Sequence, residues 1–396
     1  MKSMRRASRT LILMAALLPA TGCEQSDVTD LASRLINSGG DVQQVAIQYA
    51  EQKARAYLND PDKIRRDWNK FKVAYQKTKD SIAKIWGRSE AEKPSPKVTI
   101  KYTDKFRSRA MVDFDNGIVR VETVNTEEPV AHLREMIIVA VLTPDDPRKV
   151  DFFSDDPVDL SGTPYLLNQV LDHHGKSINT MAQAEAFADH LINAGISTKK
   201  IKGESGYQKV QYVTFNLVEG HADHRAARYK DLVSKYGEKY GISRSLIYAI
   251  IKTESNFNRF AVSWIPAFGL MQIVPKTAGQ DAYQFLYDKK GMPDKDYLFD
   301  PDKNIEMGTA YIKILKDNYL KRVTNSVSRE YCVIASYNGG IGTLLRAFDR
   351  NQKTAFNRIN EMTPAQVHAR ILAKMPEETQ NYLKRVLAQR KRFAGS

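Results

Sequence analysis

The fold of the second half of this protein is decided by residues 246–255, which read LIYAIIKTES. Apolar side chains recur there at three- and four-residue intervals, the spacing of one face of an α-helix. These side chains are Leu246, Ile247, Ile250 and Ile251. Ser243 or Ser245 can cap the start, because a serine hydroxyl group accepts a hydrogen bond from a free main-chain N–H. The pattern predicts a capped helix with one buried face.

The same helix carries an acid on its buried face. Glu254 follows Ile250 by four residues, so both side chains point to the same side. Burial disfavours the charged form of a carboxyl group and raises its pKa, and a glutamic acid that stays protonated near neutral pH can donate a proton to a glycosidic oxygen. A glutamate at a helix end is more often solvated or a capping residue, so the surrounding sequence has to decide between the two interpretations.

Residues 267–275, AFGLMQIVP, form a second candidate segment. Gly269 allows another part of the chain to approach its backbone closely, and Gln272 offers an amide donor and acceptor beside apolar side chains. Such a segment can line a sugar-binding cleft. The alternative is an ordinary loop of the core.

Residues 335–342, ASYNGGIG, form a third candidate segment. They place Tyr337 and Asn338 at the end of an apolar helix, directly before a glycine turn. A phenol and an amide are suited to hold a carboxyl group or a sugar amide. The alternative is a helix that ends at glycine beside a packed tyrosine.

In sequence and order, these segments resemble the motifs of soluble-lytic-transglycosylase-type catalytic domains, which have a lysozyme-like α fold. Residues 300–311, DPDKNIEMGTAY, are similar to the Asn-to-Gly helix of that family. Residues 376–382, PEETQNY, are similar to its C-terminal Glu-Thr…Tyr segment. The resemblance covers residues 222–385 and predicts an all-α lysozyme-like domain there.

The resemblance also implies roles for individual residues. Glu254 is expected to act first as general acid and then as base. Val274 stands where many relatives have a second methionine, so a contact made by that sulfur is not carried over. The residues expected to contact substrate are Ser263, Met271, Gln272, Tyr337, Asn338, Glu378 and Tyr382.

The implied reaction cleaves the MurNAc-β-1,4-GlcNAc bond of peptidoglycan without water and leaves a 1,6-anhydro-MurNAc end. Most glycosidases flank the bond with two carboxylates, whereas these motifs supply one acid together with Gln, Tyr and Asn. A substrate-assisted path therefore fits the pattern. No metal and no other cofactor is expected.

The first 22 residues resemble the signal peptide of a bacterial lipoprotein. A basic start precedes the short apolar run Leu11 to Leu18, and small residues precede Cys23. The thiol group of Cys23 is expected to carry lipid and to anchor the chain in a membrane, since several acyl chains hold a protein stably. Glu24, in place of the aspartate typical of inner-membrane retention, favours the outer membrane, facing the periplasm. The alternative is an ordinary signal peptide with an incidental cysteine.

The whole chain is predicted to have the α+β fold class and to consist of four parts. The signal occupies residues 1–22 and a polar tether residues 23–40. A mixed α/β domain with antiparallel strands is expected at 41–218, and the all-α domain at 219–396.

Several patterns define the mixed domain. Residues 41–86 have a helical pattern, and helices are also predicted at 131–142 and 181–194. Alternating apolar residues from Val98 to Thr123, interrupted by the turn sequence Asp115-Asn116-Gly117, predict an antiparallel hairpin. A last strand is predicted at 210–218. Nothing in this domain is typical of a catalytic site.

Charge and cysteine content limit the partners. The formal net charge of +14 suits a polyanion, and peptidoglycan carries free carboxylates on its stem peptides. Nucleic acid is not expected for an exported lipoprotein. Cys332 lies in an apolar run and is predicted to be a buried thiol without a disulfide partner. The histidine pairs lack further ligands at metal-binding spacing.

Three other functions remain open from the sequence. A lysozyme-type muramidase would use the same acid with water as the nucleophile. A non-catalytic glycan-binding lipoprotein would bind sacculi without releasing fragments. An envelope scaffold would depend on the mixed domain, which is also suited to extend a cleft or to bind a partner protein.

Overall fold

A computed structural model describes residues 78, 80–88, 95–146, 149–150, 154–204, 206–263 and 267–394. The predicted signal peptide, Cys23, the predicted tether and most of the helix predicted at 41–86 lie outside these residues. Residues 80–86, at the end of that predicted helix, are helical. No helix in the described ranges is long and apolar enough to cross a membrane.

A five-stranded antiparallel sheet forms the mixed part, in the order β1-β2-β3-β5-β4. The strands are β1 (Val98–Thr103), β2 (Ser108–Asp113), β3 (Ile118–Thr123), β4 (Ser197–Gly203) and β5 (Gly206–Asn216). Asp113 closes the turn between β2 and β3, because its carboxylate accepts hydrogen bonds from the main-chain N–H groups of Asp115 and Asn116 at 2.9 and 3.0 Å. Gly117 completes the turn with φ +68°. The predicted hairpin is confirmed.

Helices cover one face of the sheet. They are α1 (Pro129–Leu142) and α2 (Met181–Ala194), and both were predicted. A core forms between them and the strands, where Phe114 and Val121 meet Leu133, Ile137 and Phe187. On the other face, Trp86 packs with Ile100, Tyr102 and Val210. Both faces are therefore buried, which explains why all six residues of β1 are buried or nearly so.

From His221 onward the described chain is mainly helical, as predicted, although the described residues between 256 and 277 form no helix. Its helices are α3 (His221–Ala227), α4 (Lys230–Tyr240), α5 (Arg244–Ser255), α6 (Ala278–Tyr287), α7 (Lys295–Phe299), α8 (Pro301–Ile314), α9 (Ser326–Gly339), α10 (Ile341–Phe348), α11 (Gln352–Glu361), α12 (Pro364–Lys374) and α13 (Glu377–Arg392). One π-helical turn, Leu315–Tyr319, follows α8. The α+β fold class is confirmed, and Cys332 is a buried free thiol inside α9.

Buried polar contacts join the sheet to the helical part. The guanidinium group of Arg225 on α3 donates to Gln169 Oε1 at 2.7 Å and to the main-chain oxygen of Asn256 at 3.1 Å. The Asn256 amide donates to the main-chain oxygen of Phe114 and to Asp115 Oδ1. The β2–β3 turn therefore lies against the end of α5. The domain boundary at 218/219 stays a prediction.

Candidate active site

Helix α5 has the buried face that its sequence predicts. Its four apolar positions, Leu246, Ile247, Ile250 and Ile251, are each 5% exposed or less. Ser243 occupies the position before the first turn, but its side chain makes no capping hydrogen bond. The helix ends in left-handed backbone at Asn256 and Phe257, with φ values of 51° and 60°. Two such residues in succession turn the chain sharply just after Glu254.

The carboxyl group of Glu254 is desolvated, although the residue is not sealed from solvent. Burial raises its pKa from 4.5 to about 7. The Tyr382 hydroxyl group and the charge of Arg385 lower this pKa, and the negative charge of Glu378 raises it. Lys97, which precedes β1, also lowers it. Residues of both the mixed part and the last helix therefore influence the pKa of Glu254.

Two phenols lie close to this carboxyl group. Burial raises the pKa of Tyr337 and of Tyr382 well above 10, and the charge of Glu254 acts in the same direction on both. The Tyr337 hydroxyl group donates to the main-chain oxygen of Met271 at 2.9 Å. The Tyr382 hydroxyl group is buried and makes no well-formed hydrogen bond within the described part of the chain. It interacts with the Glu254 carboxyl group and lowers its pKa, so it is a candidate donor for the carboxylate form.

The loop after α5 folds back on itself as a tight turn. Phe268 and Ile273 exchange main-chain hydrogen bonds of 3.1 and 3.2 Å. Inside this turn, Gln272 has φ +48°, and its amide nitrogen donates to the main-chain oxygens of Ala261 and Gly269, both at 3.0 Å. Its Oε1 atom is buried without a partner among the described residues. The loop thus uses the donors of Gln272 and leaves its buried acceptor without a hydrogen bond in the described part of the chain.

Met271 is placed differently from the other candidates. Its side chain is fully buried, and it packs against Gly308 of α8. It contributes to the site through its main chain, where the N–H donates to Asn304 and the oxygen accepts from Tyr337. Its expected contact with substrate stays a prediction.

Asn304 and Gly308 hold the turn in place, a role that the sequence did not reveal. Asn304 Oδ1 accepts from the Met271 N–H at 2.8 Å, and its Nδ2 donates to the main-chain oxygens of Phe268 and Leu298 at 2.9 and 2.8 Å. A Cβ atom on Gly308 would lie 2.4 Å from the sulfur of Met271. The available signal was the resemblance of residues 300–311 to a family helix, together with an asparagine on an apolar helix face.

The remaining candidates, Asn338, Glu378 and Ser263, differ in exposure and in hydrogen bonding. Asn338 Oδ1 accepts from the Thr379 hydroxyl group at 2.8 Å, which joins the end of α9 to the start of α13. Glu378 is exposed. The Ser263 hydroxyl group accepts from the Ala267 N–H at 3.1 Å and lies in the segment between α5 and the tight turn.

The structure therefore brings Glu254, Tyr337, Tyr382 and Glu378 together. Asn338 joins them through Thr379, and Gln272 lies in the turn that Tyr337 holds. Within the described ranges no cluster of three or more His, Cys, Asp or Glu residues could hold a metal ion. The arrangement provides one protonated acid, two neutral phenols and amide groups, which suits proton transfer to a neutral ligand.

Comparisons with known proteins cover most of the chain. The family model of the membrane-bound lytic murein transglycosylase C N-terminal domain matches residues 64–228, and the transglycosylase SLT domain model matches residues 231–360. Membrane-bound lytic murein transglycosylase C of Yersinia enterocolitica is 42% identical over 84% of this chain and 92% of its own length. The protein of that name from Serratia proteamaculans is 43% identical over 81% of this chain and 89% of its own. The 70 kDa soluble lytic transglycosylase SLT70 of Escherichia coli is 28% identical over 42% of this chain and 25% of that one, with a TM-score of 0.32.

Proposed function

Since this chain belongs to the membrane-bound lytic murein transglycosylase C family and is a peptidoglycan lytic transglycosylase, we propose that Glu254 is both the acid and the base of its reaction. The supporting observation is the pKa of this carboxyl group, which burial raises to about 7. Near neutral pH a large fraction of the group is then protonated and can donate its proton in the first step, and the carboxylate formed by that donation can accept a proton in the second.

In the first step, protonated Glu254 donates its proton to the oxygen that leaves C1 of MurNAc. The bond between C1 and that oxygen breaks, and positive charge develops at C1. The N-acetyl oxygen of the same sugar stabilises this centre in place of a second carboxylate. Glu378, whose negative charge raises the pKa of Glu254, is exposed. No second buried carboxylate is required.

In the second step, Glu254 is a carboxylate and accepts a proton from the C6 hydroxyl group of MurNAc. The C6 oxygen then bonds to C1 and closes the 1,6-anhydro ring. Glu254 is protonated again at the end, so the cycle needs neither water nor a metal ion. The nearby Tyr382 hydroxyl group stabilises the carboxylate between the two steps, in agreement with its effect on the pKa.

Tyr337 is proposed to orient the N-acetyl group. Its hydrogen atom is directed to the Met271 main-chain oxygen, so its lone pairs are available to accept the N–H of an acetamido group. Gln272 Oε1, which is buried without a partner among the described residues, is proposed as a further acceptor. Ser263, Asn338 and the exposed Glu378 are proposed to contact more distant parts of the glycan.

The test is product analysis with a matched pair of variants. Full-length protein, Glu254→Gln and Glu361→Gln are incubated with sacculi, and the fragments are identified by mass spectrometry. Glu361 is exposed at the end of α11, so it controls for exchanging a carboxylate for an amide. Wild type and Glu361→Gln should release anhydro-muramyl ends, whereas Glu254→Gln should be slower by about 10²-fold or more with an unchanged thermal midpoint. Near-normal turnover of Glu254→Gln would exclude this acid, and reducing ends in place of anhydro ends would exclude attack by C6.

We also propose that lipid on Cys23 anchors the protein to the outer membrane, facing the periplasm. The support is the signal-like sequence before Cys23 and the description of the relatives as membrane-bound. Metabolic labelling with a radioactive fatty acid and membrane fractionation test it. Label should enter the wild type and be lost from Cys23→Ser. Label retained by that variant would place the lipid elsewhere.

A further inference from the structure

A groove beside the active site is lined by cations and by no acid. It has a volume of about 580 Å³, and its polar lining consists of Thr343 and Arg346 of α10 and Arg370 and Lys374 of α12. Met375 and Pro376, which connect α12 to α13, also line it. We call this feature the cationic groove. Its volume is within the range of pockets that hold small organic ligands.

The cations of this groove have no anionic partner among the described residues. Arg346 donates to the Thr343 hydroxyl group at 3.2 Å, and Arg370 donates through Nε to the Ala347 main-chain oxygen at 2.9 Å. These neutral partners orient the guanidinium groups and leave other N–H groups of each free to bind a ligand. None of the three cations forms an ion pair with a described carboxylate, although the chain contains 46 acidic residues. A groove of this kind favours a ligand with more than one carboxylate, since guanidinium groups bind carboxylates in a bidentate manner.

Helix α13 links the cationic groove to the active site. Pro376 precedes the first turn of this helix, Thr379 bonds Asn338, and Tyr382 faces Glu254. Gly339 also approaches Met375 so closely that a Cβ atom there would lie 2.9 Å from the methionine methyl group. Tyr382 lies six positions after Pro376, which corresponds to about 9 Å along a helix axis.

We propose that the cationic groove binds the carboxylates of the murein stem peptide on the muramyl residue at the cleavage site. This inference rests on the proposed function, because it places the sugar at Glu254. An extended peptide spans about 3.3 Å per residue, so its third residue reaches about 10 Å, which is close to the separation of about 9 Å estimated along α13. The groove thereby selects strands that carry peptides over denuded glycan.

The test uses the two products of an amidase digest of murein, free stem peptides and peptide-free glycan. The full-length enzyme is compared with the groove variant, Arg346→Glu/Lys374→Glu. The control is the hairpin variant, Lys200→Glu/Lys209→Glu, which makes the same charge change at an exposed pair on the β4–β5 hairpin. Calorimetry measures the Kd for free stem peptides, and KM is measured on peptide-bearing and peptide-free strands. The neutral pair Arg346→Gln/Lys374→Gln repeats the experiment with a smaller perturbation.

The groove variant should raise the Kd for free peptides and the KM for peptide-bearing strands by about ten- to hundredfold, since each lost charge-assisted hydrogen bond costs a factor of this order. Its kcat on peptide-free glycan and the behaviour of the hairpin variant should stay unchanged. The proposal would be overturned if the wild type had the same KM on peptide-bearing and peptide-free strands. It would also be overturned if the groove variant lost as much activity on peptide-free strands as on peptide-bearing ones. The peptide calorimetry does not depend on cleavage, so a failure of the Glu254 mechanism would be distinguished from a failure of the groove.

Discussion

The hydroxyl group of Tyr337 donates a 2.9 Å hydrogen bond to the main-chain oxygen of Met271, and so fixes the end of α9 against the turn that carries Gln272. The phenol ring lies beside Tyr311, with centroids 5.7 Å apart. Because both ring and hydroxyl group are held, the lone pairs of the phenol oxygen point in a defined direction before substrate binds. The site is therefore preorganised by contacts between segments that lie far apart in the sequence.

Tyr337→Phe removes this hydrogen bond and leaves the Met271 oxygen without its donor. We expect the free energy of unfolding to fall by about 1–2 kcal/mol and kcat to fall by about ten- to hundredfold, with a smaller change in KM. Steady-state kinetics on soluble murein fragments and denaturant unfolding measure the two effects. A normal kcat in a destabilised variant would restrict Tyr337 to a structural role.

Gly308→Ala introduces a Cβ atom 2.4 Å from the sulfur of Met271. Either the sulfur or α8 has to move, so we expect a loss of about 1–3 kcal/mol in stability and a lower kcat, because the displaced turn also carries Gln272. Met271→Ala removes the obstructing side chain and leaves a cavity instead. In the double variant the two losses should be less than additive, as measured by a double-mutant cycle. Additive losses would show that the contact is not the cause.

Tyr382→Phe tests the phenol that faces the acid. Its hydroxyl group lowers the pKa of Glu254, so its removal raises that pKa further. Since the reaction begins with protonated Glu254, the fall of kcat/KM at high pH should move to higher pH in the variant. The hydroxyl group has no well-formed hydrogen bond in the described part of the chain, so stability should change by less than about 1 kcal/mol. A shift of the profile to lower pH would contradict this arrangement.

The local sequence was sufficient to predict α5, the burial of its apolar face and the β2–β3 hairpin. Each depends on a short-range signal, either a helical repeat or a turn sequence. Strand β4 was missed, because its sequence STKKIKG has exposed lysines and one buried isoleucine, Ile201. The edge of a sheet tolerates such a strand, and only its pairing with β5 reveals it.

The candidate residues were found by resemblance, whereas their contacts were not. Gln272 was expected to offer both a donor and an acceptor, but its own turn uses the donors. The role of Asn304 depends on main-chain groups up to 36 residues away in the sequence. The cationic groove likewise combines side chains from α10 and α12, and no spacing within either helix predicts that these cations lie together.

The most direct test of this account is the titration of Glu254 itself. Carbon-13 spectra of glutamate-labelled wild type and of Glu254→Gln identify the carboxyl signal of this residue by difference, and its chemical shift is followed against pH. The account predicts a midpoint at about 7, because burial holds the proton on the carboxyl group. A midpoint near the ordinary value of 4.5 would show an already charged, solvated glutamate and would contradict its role as the acid.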